Sequence, residues 1–161
     1  MTTEHIIPLS PIFDGEVLSN LSDYARGFLE AAIDAEGCIL LSTYHRSKYT
    51  GKVYYNPILQ IGNKSKEWLE LVREIADDYG NINGKHGFYT YAMSWGGMRG
   101  VLPQLGLVVK EKQRVLILEA LDILYKLRAY KGKYFKDSSF RGIAEKRLAE
   151  IAREIKELNH K

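Results

Sequence analysis

A single cysteine, Cys38, is present among the 161 residues. No disulfide can form within this sequence, and a zinc site with several cysteine ligands is excluded. No apolar run approaches the roughly 20 residues that a membrane-spanning helix requires. The first residues do not combine a basic segment with an apolar one, so no signal peptide is expected. These absences predict an intracellular, soluble protein of the cytoplasm or an organelle matrix, with no membrane partner.

Acidic residues are missing from three long stretches, although the formal net charge is only +3. Residues 38–66, 79–110 and 125–136 contain cations but no Asp or Glu. The carboxylates are concentrated in 67–78 and 145–157, where the apolar spacing is helical. This separation of charge is typical of a surface that binds phosphates. The alternative is a chance clustering of cations on solvated loops.

The sequence contains enough apolar material for one core, since 45% of its residues are hydrophobic. This share and the length predict a single domain over residues 1–161. Two prolines and no clear periodicity at 1–18 indicate an N-terminal arm, and apolar residues three and four apart predict a C-terminal helix at 140–160. We find no internal repeat.

The order of helices and strands predicts one sheet backed by helices. Ser22 and Ser65 are expected to begin helices that Gly37 and Gly80 end. Pro57 predicts an edge position or a bulge in its strand. The remaining elements are strands at 38–49, at 53–61 and within 81–95, and helical stretches at 98–105, 112–130 and 144–158. This order, αββαββ followed by helices, is typical of an α+β fold.

Residues 29–37 read LEAAIDAEG and resemble the nine-residue LAGLIDADG signature of a homing endonuclease family. Glu36 replaces an aspartate conservatively, and Ala31 stands where the signature has a glycine. Glu30 and Ala32 depart from the signature. The positions that match directly include Ile33, Asp34, Ala35 and Gly37.

The resemblance also includes the order of elements over about residues 22–130. It implies an αββαββα fold with a saddle-shaped antiparallel sheet, followed here by an extra C-terminal helix. It further implies an intron-encoded, site-specific DNA endonuclease that requires Mg²⁺ and acts as a homodimer. Each subunit would cut one strand of a long, nearly palindromic duplex and leave short 3′ overhangs.

Three small residues, Gly27, Ala31 and Ala35, recur at intervals of four and lie along one stripe of the first helix. Such a stripe allows two helices to approach closely. Because the motif occurs once, the partner would be the same helix of a second copy, related by a two-fold axis. Asp34 is assigned to this interface or to support of the helix end. The alternative is that the stripe packs against the chain's own core.

Glu36 is the predicted metal ligand and catalytic residue. Two-fold pairing would bring two copies of this carboxylate together, and their repulsion favours a divalent cation between them. Mg²⁺ would polarise a phosphodiester and lower the pKa of a bound water. The Gly37 carbonyl is a candidate further ligand. The alternative is a solvated carboxylate, but it would oppose the negative end of the helix dipole and require a nearby cation.

By the resemblance, a lysine and a polar amide complete the site. Lys110 is the candidate for stabilising transition-state charge or assisting water deprotonation. Lys112 competes for that role, and a solvated lysine at a helix start is the alternative. Asn63 stands where the family has an amide, often glutamine, that positions water. An ordinary capping function near Ser65 competes with that assignment.

Residues of one parity on the two hairpins are predicted to contact double-stranded DNA, because alternate side chains of a strand share a face. A two-stranded ribbon fits the major groove. The residues assigned to DNA are Leu40, Ser42, Tyr44, Arg46, Lys48, Tyr54, Asn56, Ile58, Gln60, Lys64, Lys66, Asn83, Lys85 and Thr90. Ile39, Leu41 and Thr43 are expected to face the helices. For the tyrosines, cross-strand packing is the alternative.

The basic segment 126–136, which includes Lys131 and Lys133, is expected to contact phosphates and to add affinity without sequence information. Two other functions remain open from the residues alone. One is a non-catalytic nucleic-acid binding protein on the same scaffold, either an intron RNA maturase or a transcriptional regulator. The other is a dimerisation module with incidental basic patches. The joint presence of Glu36, Lys110 and Asn63 favours catalysis.

Overall fold

Two β-hairpins, each preceded by a helix, form the centre of the structure. The computed structural model describes residues 20–45, 53–129 and 138–160. In chain order the elements are α1 (Asp23–Glu36), β1 (Gly37–His45), β2 (Val53–Asn63), α2 (Lys66–Ile75), β3 (Asn81–Lys85), β4 (Phe88–Ala92), α3 (Trp95–Val101), a 3₁₀ turn (Leu102–Gln104), α4 (Glu111–Ala129) and α5 (Ser138–Asn159). The predicted α+β order is confirmed. The predicted arm at 1–18 lies outside the described residues.

Three helices begin at a serine whose side chain accepts a backbone N–H of the first turn. The hydroxyl oxygens of Ser22, Ser65 and Ser94 accept these N–H groups at 3.1, 3.1 and 3.2 Å. Each bond satisfies a donor that has no partner within the helix, which is why serine is favoured at this position. The predicted starts of α1 and α2 are confirmed, and Ser94 adds the start of α3.

The four strands form one antiparallel sheet in the order β1-β2-β4-β3. β1 pairs with β2 along all nine of its residues. β4 pairs only with the last part of β2, Gln60–Asn63. Pro57 lies before that part, so its missing N–H removes no hydrogen bond to β4. The edge position that Pro57 predicted is therefore confirmed for this half of β2.

The prediction that Gly80 ends α2 is wrong. The helix ends at Ile75, and Asp77 and Asp78 follow with φ of 59° and 62°. These left-handed conformations reverse the chain, and the Asp78 N–H donates to the Arg73 carbonyl at 2.8 Å. Aspartate tolerates this region better than most residues, since its short polar side chain can bond locally. Gly80 instead adopts φ 109° immediately before β3.

The second hairpin turns through His86 and Gly87. Their φ angles, 59° and 82°, are both positive, as a two-residue type I′ turn requires. Lys85 pairs directly with Phe88 across the turn. The predicted hairpin around 85–87 is confirmed.

The helices cover one face of the sheet. Ile39 and Leu59 from the sheet and Leu29 and Ile33 from α1 are all fully buried. Leu41 is also buried, as its parity with Ile39 predicts. Thr43 shares that parity but is exposed, contrary to the expectation that it faces the helices, because it lies near the distal end of β1. None of the helices among the described residues is long and apolar enough to cross a membrane.

The C-terminal helix α5 packs against both α4 and the edge strand β1. Its buried side chains are spaced four, three and four residues apart, and they are Ala144, Leu148, Ile151 and Ile155. Near its end, Asn159 donates to the carbonyl of Ile39 at 2.9 Å. On α4, Glu119 accepts two hydrogen bonds from Arg147, at 2.5 and 2.8 Å. The predicted amphipathic C-terminal helix is confirmed, and it covers the outer edge of β1.

Candidate active site and nucleic-acid interface

The small-residue stripe of α1 faces away from the core. Gly27, Ala31 and Ala35 are exposed, whereas Leu29 and Ile33 on the other side of the helix are fully buried. A Cβ built on Gly27 would meet no atom of the described residues within 4 Å. The alternative in which this stripe packs against the chain's own core is therefore excluded. The stripe presents backbone and small side chains at the surface.

Two exposed valines lie in the segment that α1 binds. Val108 and Val109 are 90% and 70% exposed, and their backbone N–H groups both bond to α1. Tyr24, in the first turn of α1, is 71% exposed. Large apolar side chains so open to solvent are a common mark of an interaction surface. Sequence reasoning missed the valines, although their position beside the predicted lysine was a usable signal.

Asp34 fixes the segment that precedes α4. Its carboxylate accepts the backbone N–H groups of Val108, Val109 and Lys110, at 2.7, 3.1 and 3.0 Å. One turn earlier, the Glu30 carboxylate accepts the N–H of Gly106 at 2.7 Å. Charged acceptors make stronger hydrogen bonds than neutral ones. Asp34 is thus a support within its own chain, and its assignment to a dimer interface stays a prediction.

Glu111 holds the remaining N–H of this segment. Its carboxylate accepts from the Leu107 N–H at 2.9 Å and binds the Arg114 guanidinium at 2.7 and 2.5 Å. The hydrogen bonds from Arg114, and to a lesser degree the one from Leu107, lower the pKa of Glu111 from 4.5 to about 2. Three carboxylates, on Glu30, Asp34 and Glu111, therefore hold residues 106–110 through five consecutive backbone N–H groups.

Lys110 lies at the C-terminal end of α1. Its ammonium group donates to the main-chain carbonyl of Asp34 at 2.5 Å. α1 has no basic residue of its own in its last turn. Lys110 therefore supplies, from a distant part of the sequence, the cation expected at the negative end of this helix dipole. Lys112 is exposed in the first turn of α4.

Glu36, the last residue of α1, bonds directly to Asn63 at the end of β2. The Asn63 Nδ2 donates to the Glu36 carboxylate at 2.9 Å. The Asn63 Oδ1 accepts the backbone N–H of Ser65 at 2.8 Å. The Asn63 amide thus makes the backbone contact at Ser65, near the start of α2, and also contacts the predicted catalytic carboxylate of Glu36. Glu36 itself is exposed.

The polar groups around Glu36 suit a hard cation only when other oxygens join them. Among the described residues, no group of three or more His, Cys, Asp or Glu side chains could hold a metal ion. Asp34 is engaged by three N–H donors, so Glu36 is the open carboxylate at this end of α1. Mg²⁺ is commonly held by one or two carboxylates, water and substrate phosphates. The Glu36 carboxylate would meet that requirement only together with water and phosphate oxygens.

Gly37 follows Glu36 without a break as the first residue of β1. Its φ of −83° is open to any residue, so conformation does not require glycine here. The requirement is steric, because a Cβ at Gly37 would lie 2.7 Å from the Ile33 carbonyl oxygen. The glycine therefore allows the chain to pass from α1 into the sheet immediately beside Glu36.

The face of the sheet opposite the helices carries the described hairpin residues that were assigned to DNA. Direct cross-strand partners on this face are Leu40 with Ile58, Ser42 with Asn56, Tyr44 with Tyr54, and Asn83 with Thr90. Gln60, opposite Cys38, and Lys85, opposite Phe88, complete the set. We call this surface the outer face. It also contains exposed residues that sequence reasoning missed, namely Cys38, Asn81 and Phe88.

Tyr44 and Tyr54 stack across the strands with ring centroids 5.5 Å apart, so the cross-strand packing considered for these tyrosines is present. Tyr44 is nevertheless 47% exposed and can also contact a ligand. Lys64 and Lys66 are exposed just beyond β2, beside Asn63. Four assigned cations lie outside the described residues, and they are Arg46, Lys48, Lys131 and Lys133.

Lys126 does not face a phosphate surface, contrary to the expectation for the segment 126–136. It is fully buried in α4, and its ammonium group binds the Asp122 carboxylate at 2.6 Å. Asp122 also binds Arg99 at 3.3 Å. Burial of a lysine is costly unless its charge is paired, and Asp122 provides that pair. The lysine was misassigned because the basic run continues from the helix into the following segment.

Several solved structures share this fold. The homing endonuclease I-CvuI, in complex with the I-CreI target, has 17% identity and a TM-score of 0.64, over 84% of this chain and 82% of that chain. The archaeal intron-encoded homing endonuclease I-Vdi141I, complexed with DNA, has 23% identity and a TM-score of 0.68, over 84% of each chain. The LAGLIDADG homing endonuclease I-GzeII, in complex with its DNA target, has 17% identity and a TM-score of 0.63, over 78% of this chain and 42% of that chain.

No protein-family model matches the sequence, and no curated protein matches it by sequence. The likeness therefore lies in the arrangement of helices and strands. The helix that carries LEAAIDAEG precedes the first hairpin, and four antiparallel strands follow in two hairpins separated by α2. The chain has the α+β fold of the LAGLIDADG homing endonucleases.

Proposed function

We propose that the protein is a site-specific homing endonuclease that cuts both strands of a long, nearly palindromic DNA duplex as a homodimer. The observation that carries this proposal is the exposed Glu36 carboxylate at the end of α1. It is bonded to Asn63 at 2.9 Å, in a site where Lys110 binds the end of the same helix. An acid, an amide and a cation so placed suit metal-assisted hydrolysis of a phosphodiester.

The exposed face of α1 supports the homodimer. Gly27, Ala31 and Ala35 present a surface that lets a second helix approach closely, and Val108 and Val109 add apolar area beside it. The structurally similar I-GzeII chain is matched over 42% of its length, so it is long enough for two such units. Two copies of this chain would together contain two such units. A two-fold axis along α1 would place two Glu36 side chains near each other.

Glu36 from each copy would bind a divalent cation together with phosphate oxygens. When bound, Mg²⁺ polarises the phosphodiester and lowers the pKa of its water. Asn63 orients the Glu36 carboxylate, since its Oδ1 is anchored on Ser65 and its Nδ2 on Glu36. The Lys110 ammonium group donates one of its three N–H groups to the Asp34 carbonyl, which leaves two N–H donors for phosphate oxygens.

The outer face supports DNA as the substrate. It is a continuous antiparallel surface, and a β-ribbon fits the major groove, where side chains meet base edges. Lys85 is exposed on this face, and Lys64 and Lys66 are exposed just beyond the end of β2. Such cations bind phosphates and make affinity depend on salt. The solved structures of similar fold include I-CvuI and I-Vdi141I in complexes with DNA.

The proposal is tested by selecting duplexes that the protein binds from a randomised library and incubating them with Mg²⁺. We expect the wild type to cut both strands, and Glu36→Gln to bind the same duplexes without cutting. Glu70→Gln changes an exposed glutamate of α2 and should cut like the wild type. Tight binding of structured intron RNA, with no cleavage of any enriched duplex, would favour the maturase alternative.

A further inference from the structure

Asn56 lies on the outer face of β2 and is held by an indole. The Trp95 Nε1 donates to the Asn56 Oδ1 at 3.1 Å. β4 pairs with β2 only along Gln60–Asn63. The pairing of β4 with β2 therefore stops short of Asn56. Trp95, the first residue of α3, comes beside this free edge of β2. A contact over 39 residues of sequence therefore fixes one side chain of the outer face.

The identity of the bonded atom follows from chemistry. An indole nitrogen only donates, so the amide atom that faces it must be the oxygen. The Asn56 Nδ2, which carries both amide protons, is therefore turned away from Trp95. Neighbours hold the indole in place, since its ring meets Tyr125 edge to face at 5.8 Å and Arg128 lies over it at 5.5 Å.

We propose that Trp95 determines base specificity by making Asn56 a hydrogen-bond donor to the groove. This inference rests on the proposed function, in which the outer face reads DNA. Nδ2 presents protons to the base edge, while Oδ1 is engaged by the protein. Adenine, guanine and thymine all carry major-groove acceptors, whereas the edge of cytosine carries a donor. Asn56 thus rejects cytosine and discriminates weakly among the other three bases.

This mode of base recognition differs from the usual one for asparagine. An unrestrained asparagine selects adenine, because Oδ1 accepts from N6 while Nδ2 donates to N7. The Trp95 N–H competes with N6 for Oδ1 and holds that oxygen toward Trp95, which weakens the half of the pair that recognises N6. The identity of residue 95, which lies outside the hairpin strands, then decides how residue 56 reads a base.

Two substitutions test the Trp95–Asn56 hydrogen bond, one by removing its donor and the other by changing the group that Asn56 presents to DNA. Trp95→Phe keeps a ring beside Tyr125 and Arg128 but deletes the N–H, which frees Oδ1. Asn56→Asp keeps an oxygen for Trp95 and replaces the groove-facing donor with an acceptor. Each protein is used, as the full chain, to select binding duplexes from a randomised library, and the enriched sequences are compared position by position.

We expect the wild type to disfavour cytosine at one base pair of each half-site. Trp95→Phe should shift that same position toward adenine by at least about fivefold, and Asn56→Asp should shift it toward cytosine by a similar factor. Trp68→Phe is the matched control, because it changes the other tryptophan, which packs near Phe28 at 6.1 Å, away from the outer face. It should leave every base preference unchanged.

The inference is overturned if the wild type enriches a defined sequence and neither Trp95→Phe nor Asn56→Asp alters any position of it. It is also overturned if the two variants alter different positions. Enrichment of no sequence at all by the wild type is a separate outcome. That result would remove the proposed function together with the inference, so the two failures can be told apart.

Discussion

Two hydrogen bonds join Lys110 and Asp34, and in each bond the side chain of one residue meets the backbone of the other. The Lys110 ammonium donates to the Asp34 main-chain carbonyl at 2.5 Å, and the Lys110 backbone N–H donates to the Asp34 carboxylate at 3.0 Å. The first bond brings a cation to the end of α1, and the second fixes the backbone that carries it. The candidate site is therefore built on a helix end and a loop that is bound to it.

Asp34→Asn should destabilise the fold by about 2 kcal/mol, since a charged acceptor of three N–H groups becomes a neutral one. The free energy of unfolding in urea measures this change. Cleavage of an enriched duplex should also fall, because Lys110 loses its fixed backbone. Asp23→Asn, at an exposed carboxylate in the first turn of the same helix, should have little effect on either quantity. Equal effects of the two variants would contradict the role given to Asp34.

Lys110 and Lys112 are separated by their positions. Lys110→Met should reduce the cleavage rate by about a hundredfold or more while DNA binding falls much less, since it removes charge stabilisation at the reacting phosphate. Lys112→Met removes an exposed cation of α4 and should mainly weaken binding and its dependence on salt. Single-turnover cleavage rates and binding curves provide the two readouts. The opposite pattern would assign the catalytic role to Lys112.

The homodimer is tested by two glycines in similar surroundings. A Cβ at Gly27 on α1 or at Gly142 on α5 meets nothing within 4 Å in the part of the chain that the structure describes. Leucine at either position should fold, and it favours the helix over glycine by roughly 0.5–1 kcal/mol. Only Gly27→Leu obstructs close approach of two α1 helices, so it should yield a monomer in sedimentation experiments. Gly142→Leu should sediment like the wild type, and a dimer in both cases would place the interface elsewhere.

Glu111 makes the free energy of unfolding depend on pH. Its pKa is about 2 in the folded chain and ordinarily 4.5, so it stabilises the fold fully above about pH 4.5 and loses that contribution as pH falls toward 2. Glu111→Gln should cost about 1 kcal/mol at pH 6, a value reduced by solvent screening because the side chain is 40% exposed. The cost should be smaller at pH 3. A difference that is the same at both pH values in urea unfolding would contradict this linkage.

Local features of the fold could be predicted from the sequence. Ser22 and Ser65 begin their helices because a serine oxygen satisfies free N–H groups, and this depends only on neighbouring residues. The parity of the first hairpin was also predictable, since alternation of apolar residues fixes which face is covered. Ser42 and Asn56, which were assigned to one face by this alternation, are direct partners on the outer face.

Contacts between distant segments could not be predicted. Glu30 departs from the nine-residue signature, yet its carboxylate holds Gly106, 76 residues away. Trp95 determines the orientation of Asn56 only because β4 is short and the chain turns into α3 beside β2. Lys126 appeared to belong to a basic surface, but the packing of α4 buries it against Asp122. Each of these depends on packing that no local pattern encodes.

The central claim is that Glu36 is needed for cutting and not for recognition. The most direct measurement compares wild type and Glu36→Gln on one enriched duplex with Mg²⁺, following strand cleavage and binding in the same samples. The account predicts unchanged or slightly tighter binding, because a carboxylate beside DNA becomes neutral, together with loss of cleavage of both strands. Cleavage by Glu36→Gln at the wild-type rate would contradict it.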